Sequence, residues 1–458
     1  MVIQTECGLF ASLSKKSLPI SFIINNLKKL NHRGRDCYGI SYLDEKNKIE
    51  FIKKKGDVDI NNFSPDELSI QSKSFISHLR YATSGNKDKI QDYTQPFYST
   101  NKLGFYSLAH NGNIPNSIWD KFKDITFPEN IIDTQKLIYY INYLSGYECI
   151  KTWNDIFKVL LDEIECAYCL LIQTKDNLYV IRDRYGLRPL SLYQSNNKIV
   201  IASETIAIPD GEKGVIRDVN NGEIIEINSN LELKSYNLDY KITNNCLFEY
   251  IYFLRDNSIQ DGIKISDFRY ELGKKLVNQL QLTHPDVLSN WQEENAIVSG
   301  VPSSGNIYGE SIASNLNLEY SQFLKKRSNY PWRTFILEND DKRMQACQKK
   351  YILERGEIEN KTVILVDDSI VRGNTLKYLV KYLKKSQPKK IFICVASPMI
   401  VSPCNYGVDF PDIEELIMTR TTPEQLAKDL EIDGLFFLSV DNLQEYKSNK
   451  CMSCFFKK

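Results

Sequence analysis

The sequence lacks an excess of charge of either sign, since Lys plus Arg and Asp plus Glu each total 58 of its 458 residues. This balance argues against a general binder of nucleic acid or of membrane surfaces. No apolar run approaches the ~20 residues that a transmembrane helix needs. Residues 1–6 lack both the basic region and the apolar core of a secretion signal, so we expect no membrane partner and a cytoplasmic location.

Internal repeats and low-complexity tracts are absent too. Hydrophobic residues make up 42% and charged residues 25% of the chain, which is ordinary for a globular protein. A chain of this length has room for about two or three domains, each with its own core. Its eleven cysteines are an odd number without a compact framework, so catalytic or metal-binding thiols are favoured over disulfides.

The first half of the chain carries an antiparallel pattern. Short strand-like runs such as Phe75–Tyr81 and Leu103–Ala109 alternate with helical patterns at Ile20–Leu30 and Thr134–Leu144. This mixture predicts an α+β layer structure. The character of the sequence changes near residue 245, where we place a domain boundary.

The second half carries an alternating pattern. Strand-like runs at Ala296–Val301, Val363–Val366 and Ile391–Ala396 are separated by helical stretches such as Leu376–Lys385. Strands that alternate with helices are typical of a parallel sheet with crossover helices. We therefore expect an α/β fold after the boundary.

Cys7, which is followed by Gly8, is the first candidate for catalysis. A thiol near a chain start can act as a nucleophile when the preceding residues are removed, because the freed α-amine, with a pKa near ~8, then serves as the base. Taken alone, however, Cys7 is better explained as a buried structural cysteine.

Five short segments downstream change this interpretation. They are Asn31–Gly34, His78–Thr83, Gln95–Phe97, Ala109–Asn113 and Ile132–Thr134. Together with Cys7, and in this order, they resemble the N-terminal-nucleophile glutamine amidotransferases. The resemblance implies an αββα glutaminase fold for the first half of the chain.

The same resemblance implies a role for each residue of the glutamine site. Cys7 would attack the glutamine carboxamide, Arg80 would bind the α-carboxylate by bidentate hydrogen bonds, and Asp133 would bind the α-ammonium group. The Asn111 side chain and the Gly112 backbone N–H would stabilise the tetrahedral oxyanion.

Arg33 would support the nucleophile, although the segment departs from the family's His-Arg-Gly-Gln in having Arg35 as its last residue. The neighbouring histidines His32, His78 and His110 need no catalytic role. A histidine in such segments is more often a hydrogen-bonded structural residue.

Val363–Thr375 combines a buried strand with a polar loop, Asp-Asp-Ser-Ile-Val-Arg-Gly-Asn-Thr. Ligands of open α/β sheets bind at such strand ends, and backbone N–H groups at a helix start suit a 5′-phosphate. Asp367 and Asp368 can bind ribose hydroxyls or a hydrated Mg²⁺. An ordinary strand-turn-helix explains this combination poorly. The segment resembles the phosphoribosyl-pyrophosphate (PRPP) loop of type I phosphoribosyltransferases.

This second resemblance implies a set of PRPP-binding residues. They are Asp367, Asp368, Ser369, Arg372, Gly373, Asn374, Thr375, Lys325 and Arg333. Val301–Gly305 resembles the pyrophosphate loop of the same proteins and places Ser304 near Mg²⁺, together with Asp367 and Asp368. The segment Lys325–Phe335 resembles their flexible lid, with two apparent insertions.

Both resemblances together are those of the amidophosphoribosyltransferase family, over almost the whole chain. They imply a glycosyltransferase (pentosyltransferase) that makes 5-phospho-β-D-ribosylamine, glutamate and pyrophosphate from glutamine, PRPP and water, in the first committed step of purine synthesis. The implied parts are a propeptide (1–6), a type 2 glutamine amidotransferase domain (7–242), a phosphoribosyltransferase domain (243–445) and a tail (446–458). The family also implies a homo-oligomer, either a tetramer or a dimer.

Other functions remain as alternatives. Glucosamine-6-phosphate and asparagine synthetases share the glutaminase motifs, but neither uses PRPP, so the PRPP loop argues against both. The altered lid motivates a PRPP-sensing protein without activity. Against it stands the retention of six site residues, which are Cys7, Arg80, Asn111, Asp133, Asp367 and Asp368.

Cys246, Cys404, Cys451 and Cys454 form a further candidate site. The C-x-x-C tail alone is also compatible with a redox pair. The resemblance to the iron–sulfur branch of the family implies a structural [4Fe–4S] cluster. A Cys₄ zinc site is the alternative, since spacing does not choose the metal.

The other cysteines match no ligand position, and we expect core or surface thiols. They are Cys37, Cys149, Cys166, Cys169, Cys347 and Cys394. Cys166 and Cys169 form a second C-x-x-C, but alternation along a strand would place them on opposite faces, which favours core packing.

Overall fold

The computed structural model describes residues 7–81, 92–209, 213–238, 240, 245–327, 348–407 and 412–457. The expected propeptide, residues 1–6, lies outside this part, as do Arg333, Cys347 and the domain limit at 242–243. The limits of the domains therefore stay a prediction. No described helix combines the length and the apolar character that crossing a bilayer requires.

Among the described residues of the first half, thirteen strands build two antiparallel sheets. They are β1 (Gly8–Pro19), β2 (Cys37–Leu43), β3 (Ile49–Lys55), β4 (Gln71–Arg80), β5 (Phe97–Asn101), β6 (Gly104–Gly112), β7 (Tyr168–Thr174), β8 (Asn177–Arg182), β9 (Ser191–Gln194), β10 (Lys198–Ala202), β11 (Val215–Asp218), β12 (Glu223–Asn228) and β13 (Leu233–Asn237). The sheet orders are β11-β9-β10-β1-β4-β2-β3 and β13-β12-β8-β7-β6-β5.

The two sheets pack face to face. Leu9 and Ala11 of β1 share one apolar cluster with Leu171 of β7 and Val180 of β8. Alternation along each strand puts these residues on the inner face and leaves the outer face for helices.

Helices cover both outer faces. The helices of this half are α1 (Ile20–Lys28), α2 (Pro65–Leu68), α3 (Asn116–Trp119), α4 (Asp133–Leu144) and α5 (Trp153–Glu163). The apolar side of α1 packs on the first sheet, and those of α4 and α5 pack on the second. The helix–sheet–sheet–helix layers confirm the predicted αββα fold.

The second half is built on a parallel sheet of order β18-β17-β21-β22-β23. Its strands and those of three short ladders are β14 (Asn245–Cys246), β15 (Ile259–Gln260), β16 (Ile263–Lys264), β17 (Ile297–Gly300), β18 (Glu319–Tyr320), β19 (Leu324–Lys326), β20 (Tyr351–Leu353), β21 (Thr362–Asp367), β22 (Lys390–Val395), β23 (Gly434–Phe437) and β24 (Lys450–Cys451).

The helices of this half are α6 (Ile265–Thr283), α7 (Pro285–Glu293), α8 (Asn306–Leu316), α9 (Arg355–Ile358), α10 (Asn374–Lys384) and α11 (Pro423–Leu430). Helices α6 and α8 pack on one face of the sheet, and helices α10 and α11 pack on the other face. Helices on both faces of a parallel sheet confirm the predicted α/β fold.

Two features join the halves. A π-helical turn, Glu249–Phe253, follows β14 and carries side chains toward both halves. The strand β24 near the end of the chain pairs in parallel with β14, so the tail returns to the start of the second half.

Candidate active site

Cys7 lies immediately before β1, and Gly8 stands opposite Leu79 in the antiparallel pair of β1 and β4. This register sets Cys7 beside Arg80, the last residue of β4. Burial raises the pKa of the Cys7 thiol to about 12, although the charge of Arg80 acts in the opposite direction. The thiol is therefore neutral at neutral pH and needs a base to attack.

Asn111 and Gly112 end β6, a strand that packs against β1 across the sandwich. The Asn111 side chain is 1% exposed, and within the described ranges neither its Nδ2 nor its Oδ1 has a hydrogen-bond partner. At Gly112 a Cβ atom would lie 2.6 Å from the carbonyl oxygen of Ala167, so only glycine fits there. A buried amide donor without a partner suits an oxyanion site.

Asp133 is the first residue of α4, where its Oδ2 accepts a hydrogen bond from the Ile114 N–H (3.1 Å). The charges of Arg80, Asp133 and Arg33 all act on the pKa of the Cys7 thiol. The structure thus brings together the thiol, the cation expected for a carboxylate and the anion expected for an ammonium group.

Arg33 is fully buried behind the nucleophile. Its Nε donates to the Cys7 carbonyl oxygen (3.2 Å), its Nη1 to Oε1 of Glu204 (2.8 Å) and its Nη2 to Oε1 of Glu249 (3.1 Å). Burial alone would raise the pKa of Glu204, but His32 and Arg33 hold it well below its usual range. Glu204 and Glu249 have no assigned role in the sequence motifs, yet both hold the residue that contacts Cys7.

A second arginine, Arg188, lies near the carboxylate of Glu249. Its Nη1 lies 3.6 Å from Oε1 of Glu249, and its Nη2 donates to the carbonyl oxygen of Gly407 (3.0 Å). Gly407 has φ +102° and abuts Asn113, because a Cβ atom there would lie 2.3 Å from the Asn113 carbonyl oxygen. The segment before Gly407 therefore rests on the loop that follows the oxyanion residues.

The loop after β21 forms the second centre. Val301 donates its N–H to the Val366 carbonyl oxygen (2.8 Å), which brings the loop Val301–Gly305 against the start of the Asp pair. The Ser304 hydroxyl donates to Asp368, and the Ser369 hydroxyl donates to the other oxygen of Asp368 (2.6 Å). The predicted phosphate and pyrophosphate loops thus meet at the carboxyl edge of the parallel sheet.

Asp368 is buried in this centre, whereas Asp367 is partly exposed. Burial raises the pKa of Asp368, and burial together with the charge of Asp368 raises that of Asp367 well above its usual range. Tyr252 of the π-helical turn lies close to both, because their charges add to the burial that raises its pKa. The turn therefore contacts the Arg33 network through Glu249, and it places Tyr252 within the electrostatic influence of the Asp pair.

The remaining loop residues are placed at the same edge. Gly373 precedes α10, which begins at Asn374 and continues with Thr375. Arg372 forms an ion pair with Glu415, and Lys325 forms one with Glu354 (Nζ to Oε1, 3.2 Å).

The four tail cysteines share one region. Cys246 and Cys451 stand opposite each other in the β14–β24 pair, and the Cys454 carbonyl oxygen accepts the N–H of Val401 (2.9 Å). Burial raises the pKa of Cys246, and the charges of Cys451, Cys404 and Cys454 add to this effect. Among the described residues, however, no three His, Cys, Asp or Glu side chains converge closely enough to hold a single metal ion.

Cys166 and Cys169 are buried in different apolar clusters, on the outer and inner side of the second sheet, as their spacing predicts. Cys37 and Cys394 are buried thiols and Cys149 is exposed. Cys37 also lies beside the site, because it stands opposite Arg80 in the β2–β4 pair.

Comparison with known families matches residues 6–138 to the class-II glutamine amidotransferases, residues 78–210 to a glutamine amidotransferase domain and residues 284–397 to the phosphoribosyl transferase domain. The amidophosphoribosyltransferase of Methanocaldococcus jannaschii is 32% identical over 98% of this chain and 96% of its own. The chain belongs to the amidophosphoribosyltransferase family. The relative from Bacillus subtilis is 33% identical over 99% of this chain and 93% of its own.

Solved structures of amidophosphoribosyltransferases share the fold. The B. subtilis glutamine PRPP amidotransferase, in complex with ADP and GMP, superposes with a TM-score of 0.83 at 31% identity, covering 99% of this chain and 97% of that one. A structure described as the allosteric regulatory enzyme of purine biosynthesis superposes equally well, with a TM-score of 0.83 at 32% identity, covering 99% of this chain and 96% of that one. The chain is accordingly a pentosyltransferase with a class-II glutamine amidotransferase domain.

Proposed function

We propose that the enzyme converts glutamine, PRPP and water into 5-phospho-β-D-ribosylamine, glutamate and pyrophosphate, the first committed step of purine synthesis. The observation that carries this proposal is that one chain of this family holds both centres, a thiol beside Arg80 and an Asp pair at the edge of a parallel sheet. Glutamine and PRPP are then the two substrates.

In the glutaminase half, Cys7 attacks the carboxamide carbon of glutamine and forms a tetrahedral oxyanion. The Asn111 amide and the Gly112 N–H donate to this oxyanion, while Arg80 and Asp133 hold the two ends of the amino acid. Collapse releases ammonia and leaves a γ-glutamyl thioester, which water hydrolyses to glutamate and the free thiol. The proton acceptor is the α-amine of Cys7, freed by removal of residues 1–6.

In the phosphoribosyltransferase half, ammonia attacks C1 of PRPP and displaces pyrophosphate. Asp367 and Asp368 bind the ribose hydroxyls, and the loop that ends at α10 offers its N–H groups to the 5′-phosphate. This loop comprises Ser369, Arg372, Gly373, Asn374 and Thr375. By the family resemblance, Lys325 and Arg333 would bind the PRPP phosphates, and Arg333 lies outside the described residues.

Mg²⁺ fits the Asp pair. Two carboxylates with raised pKa values, one of them buried, and one hydroxyl, that of Ser304, are the hard oxygen donors that this ion prefers, and a cation would offset the cost of their shared negative charge. Bound there by Asp367, Asp368 and Ser304, Mg²⁺ would neutralise charge on the departing pyrophosphate.

A [4Fe–4S] cluster, held by Cys246, Cys404, Cys451 and Cys454, fits the tail. A cubane cluster keeps its four thiolates further apart than a tetrahedral zinc ion, whose sulfur ligands lie about 2.3 Å away. The four thiols lie near one another, since the charges of Cys451, Cys404 and Cys454 all act on Cys246, and soft thiolates are ligands of both iron–sulfur clusters and zinc. The family resemblance favours the cluster. Its role would be structural, tying the tail to the domain junction.

The proposed organisation follows the same family. We place the glutaminase domain at 7–242, the phosphoribosyltransferase domain at 243–445 and the cluster tail at 446–458, after a propeptide of residues 1–6. The enzyme would act in the cytoplasm as a homo-oligomer, either a tetramer or a dimer.

Pyrophosphate release from PRPP, with glutamine or with ammonia, tests the function. We expect both amine sources to support synthesis, Cys7→Ala to lose glutamine use alone, and Asp367→Asn with Asp368→Asn to lose both. Intact mass should show active enzyme beginning at Cys7. Glutamine use with another acceptor would favour a related amidotransferase, and PRPP binding without turnover would favour a sensor.

Metal and sulfide analysis of protein purified without oxygen tests the cluster. We expect iron and inorganic sulfide in the wild type, their loss in Cys451→Ser, and a lower Tm after exposure to oxygen, because metal-binding free energy is partly folding free energy. Cys149→Ser is the matched control, since Cys149 is an exposed thiol outside the tail. Stoichiometric zinc without sulfide would replace the cluster by a zinc site.

A further inference from the structure

Glu249 comes from the phosphoribosyltransferase half, yet it is buried among residues of the glutaminase half. Its side chain is 2% exposed, and its two oxygens accept from both terminal nitrogens of Arg33 at 3.1–3.3 Å. Arg33 in turn donates to the Cys7 carbonyl oxygen. A carboxylate of one half thus orients the arginine that holds the backbone of the nucleophile in the other.

The Glu249 carboxylate also lies beside a second arginine, Arg188. Arg188 lies against Glu249 and donates to the Gly407 carbonyl oxygen. Gly407 abuts Asn113, the residue that follows the oxyanion donors. Through two arginines, Glu249 therefore reaches the backbone beside the thiol and the backbone beside the oxyanion site.

The turn that carries Glu249 is itself held firmly. The Tyr250 carbonyl oxygen accepts from Nε of Arg269 (3.0 Å), and the Ile251 carbonyl oxygen accepts from the Tyr308 hydroxyl (3.0 Å). Arg269 and Tyr308 are both buried in the second half. Glu249 is thus a fixed support, because its backbone cannot shift without breaking these bonds.

We propose that Glu249 is a positioning residue for the glutaminase reaction, supplied by the phosphoribosyltransferase half, which aligns the Cys7 backbone and the oxyanion loop through Arg33 and Arg188. The inference rests on the proposed role of Cys7 as the glutamine nucleophile. Small displacements of reacting groups carry large kinetic costs, so the effect should fall on kcat.

A simpler role has to be separated from this one. Arg33 and Arg188 carry two positive charges, Glu204 and Glu249 carry two negative charges, and burial lowers the pKa of His32, which keeps it neutral. Glu249 therefore also offsets buried positive charge, and its loss alone removes one negative charge from beside the guanidinium groups of Arg33 and Arg188. A variant that restores the balance distinguishes the two roles.

Glu249→Gln keeps the shape of the side chain but replaces one acceptor oxygen by a donor that faces arginine. We expect glutamine-dependent kcat to fall on the order of 10²-fold with little change in the KM for glutamine, while ammonia-dependent synthesis is retained. The double variant Glu249→Gln/Arg188→Gln removes one charge of each sign, so it keeps the net charge of the wild type, and it should remain deficient with glutamine. If the single variant does not fold, the glutamine-dependent kcat of the double variant still distinguishes the positioning role from charge balance.

Glu223→Gln is the matched control. Glu223 is a buried carboxylate that accepts from both terminal nitrogens of Arg217 (2.8 and 2.7 Å), but it belongs to the first half alone. The Glu223→Gln variant should therefore keep the glutamine-dependent kcat of the wild type.

If the double variant recovered the wild-type glutamine-dependent kcat, the positioning role would be wrong, and charge balance would be the role of Glu249. Equal loss of glutamine-dependent and ammonia-dependent synthesis in folded Glu249→Gln would overturn it as well. Failure of the proposed function is separate, since wild-type enzyme would then not use glutamine or Cys7→Ala would still use it.

Discussion

Asn111 is the residue whose environment most directly indicates a ligand. A buried amide that lacks a partner costs about 1–3 kcal/mol of stability, and within the described residues both polar atoms of Asn111 are in this state. A buried polar group without a partner is retained where a functional ligand provides the missing hydrogen bond. An oxyanion that forms beside Cys7 would accept this hydrogen bond from Nδ2 during the reaction.

Asn111→Ala should therefore lower glutamine-dependent kcat by about 10²–10³-fold, the loss that follows removal of one oxyanion donor. The KM for glutamine should change little, because Arg80 and Asp133 bind the ends of the substrate. Tm should not fall, since the variant removes an unpaired polar group from the interior. Steady-state kinetics and thermal unfolding measure these quantities. A variant with near-normal kcat would remove Asn111 from the oxyanion site.

At the scale of elements, long periodic segments were predictable from the sequence. The helical pattern at Thr134–Leu144 corresponds to α4, and the strand pattern at Val363–Val366 corresponds to β21. Two-residue strands such as β14 and β24 carry no periodicity, and their pairing depends on contacts between distant parts of the chain. The sequence motifs indicated that Cys246 and Cys451 share a site, but not that a strand pair brings them together.

Gly407 lies at a contact between elements where a side chain has no room. Ala at this position would meet the Asn113 carbonyl oxygen and also hold a strained backbone at φ +102°. We expect Gly407→Ala to lower both Tm and the glutamine-dependent kcat, because the segment would move away from the oxyanion loop. Ammonia-dependent synthesis should fall less.

Gly104→Ala separates strain from displacement. Gly104 has a similar φ, +115°, in the hairpin between β5 and β6, and no heavy atom of the described residues lies within 4 Å of the position that a Cβ atom would take there. The variant should lose about 1–3 kcal/mol through backbone strain alone and keep its glutamine kcat. Equal kinetic behaviour of the two variants would show that the contact at Asn113 does not matter for catalysis.

At the scale of the whole molecule, the motifs indicated the two centres but not the way in which they are joined. Cys7, Arg80 and Asp133 belong to recognisable segments, and the structure brings them together. Glu249 has no role that these motifs assign. Its contact with Arg33 spans more than 200 positions of the chain, a pairing that no local pattern encodes.

Three histidines, of which His78 and His110 are buried and His32 is partly buried, couple the stability of the first half to pH. Burial lowers the pKa values of His32, His78 and His110, and for His78 the nearby charge of Arg80 lowers it further. Below the ordinary histidine pKa of about 6.5 the unfolded chain gains protons that the native state does not. Each of these histidines therefore removes stability as pH falls below that value.

His78→Leu tests this sign with a single group. His78 is 0% exposed in β4, and within the described ranges neither ring nitrogen has a hydrogen-bond partner, so an apolar side chain of similar size fits the site. The native pKa of His78 is lowered well below its usual range, and at pH 5.5 the unfolded wild type gains a proton that the variant cannot gain. We expect the free energy of unfolding of the variant, relative to wild type, to be higher at pH 5.5 than at pH 7.5 by about 1.4 kcal/mol. Urea denaturation at the two pH values measures the difference. If the difference were zero or of opposite sign, His78 would be protonated in the native state, and a charge would have to be placed between the two sheets.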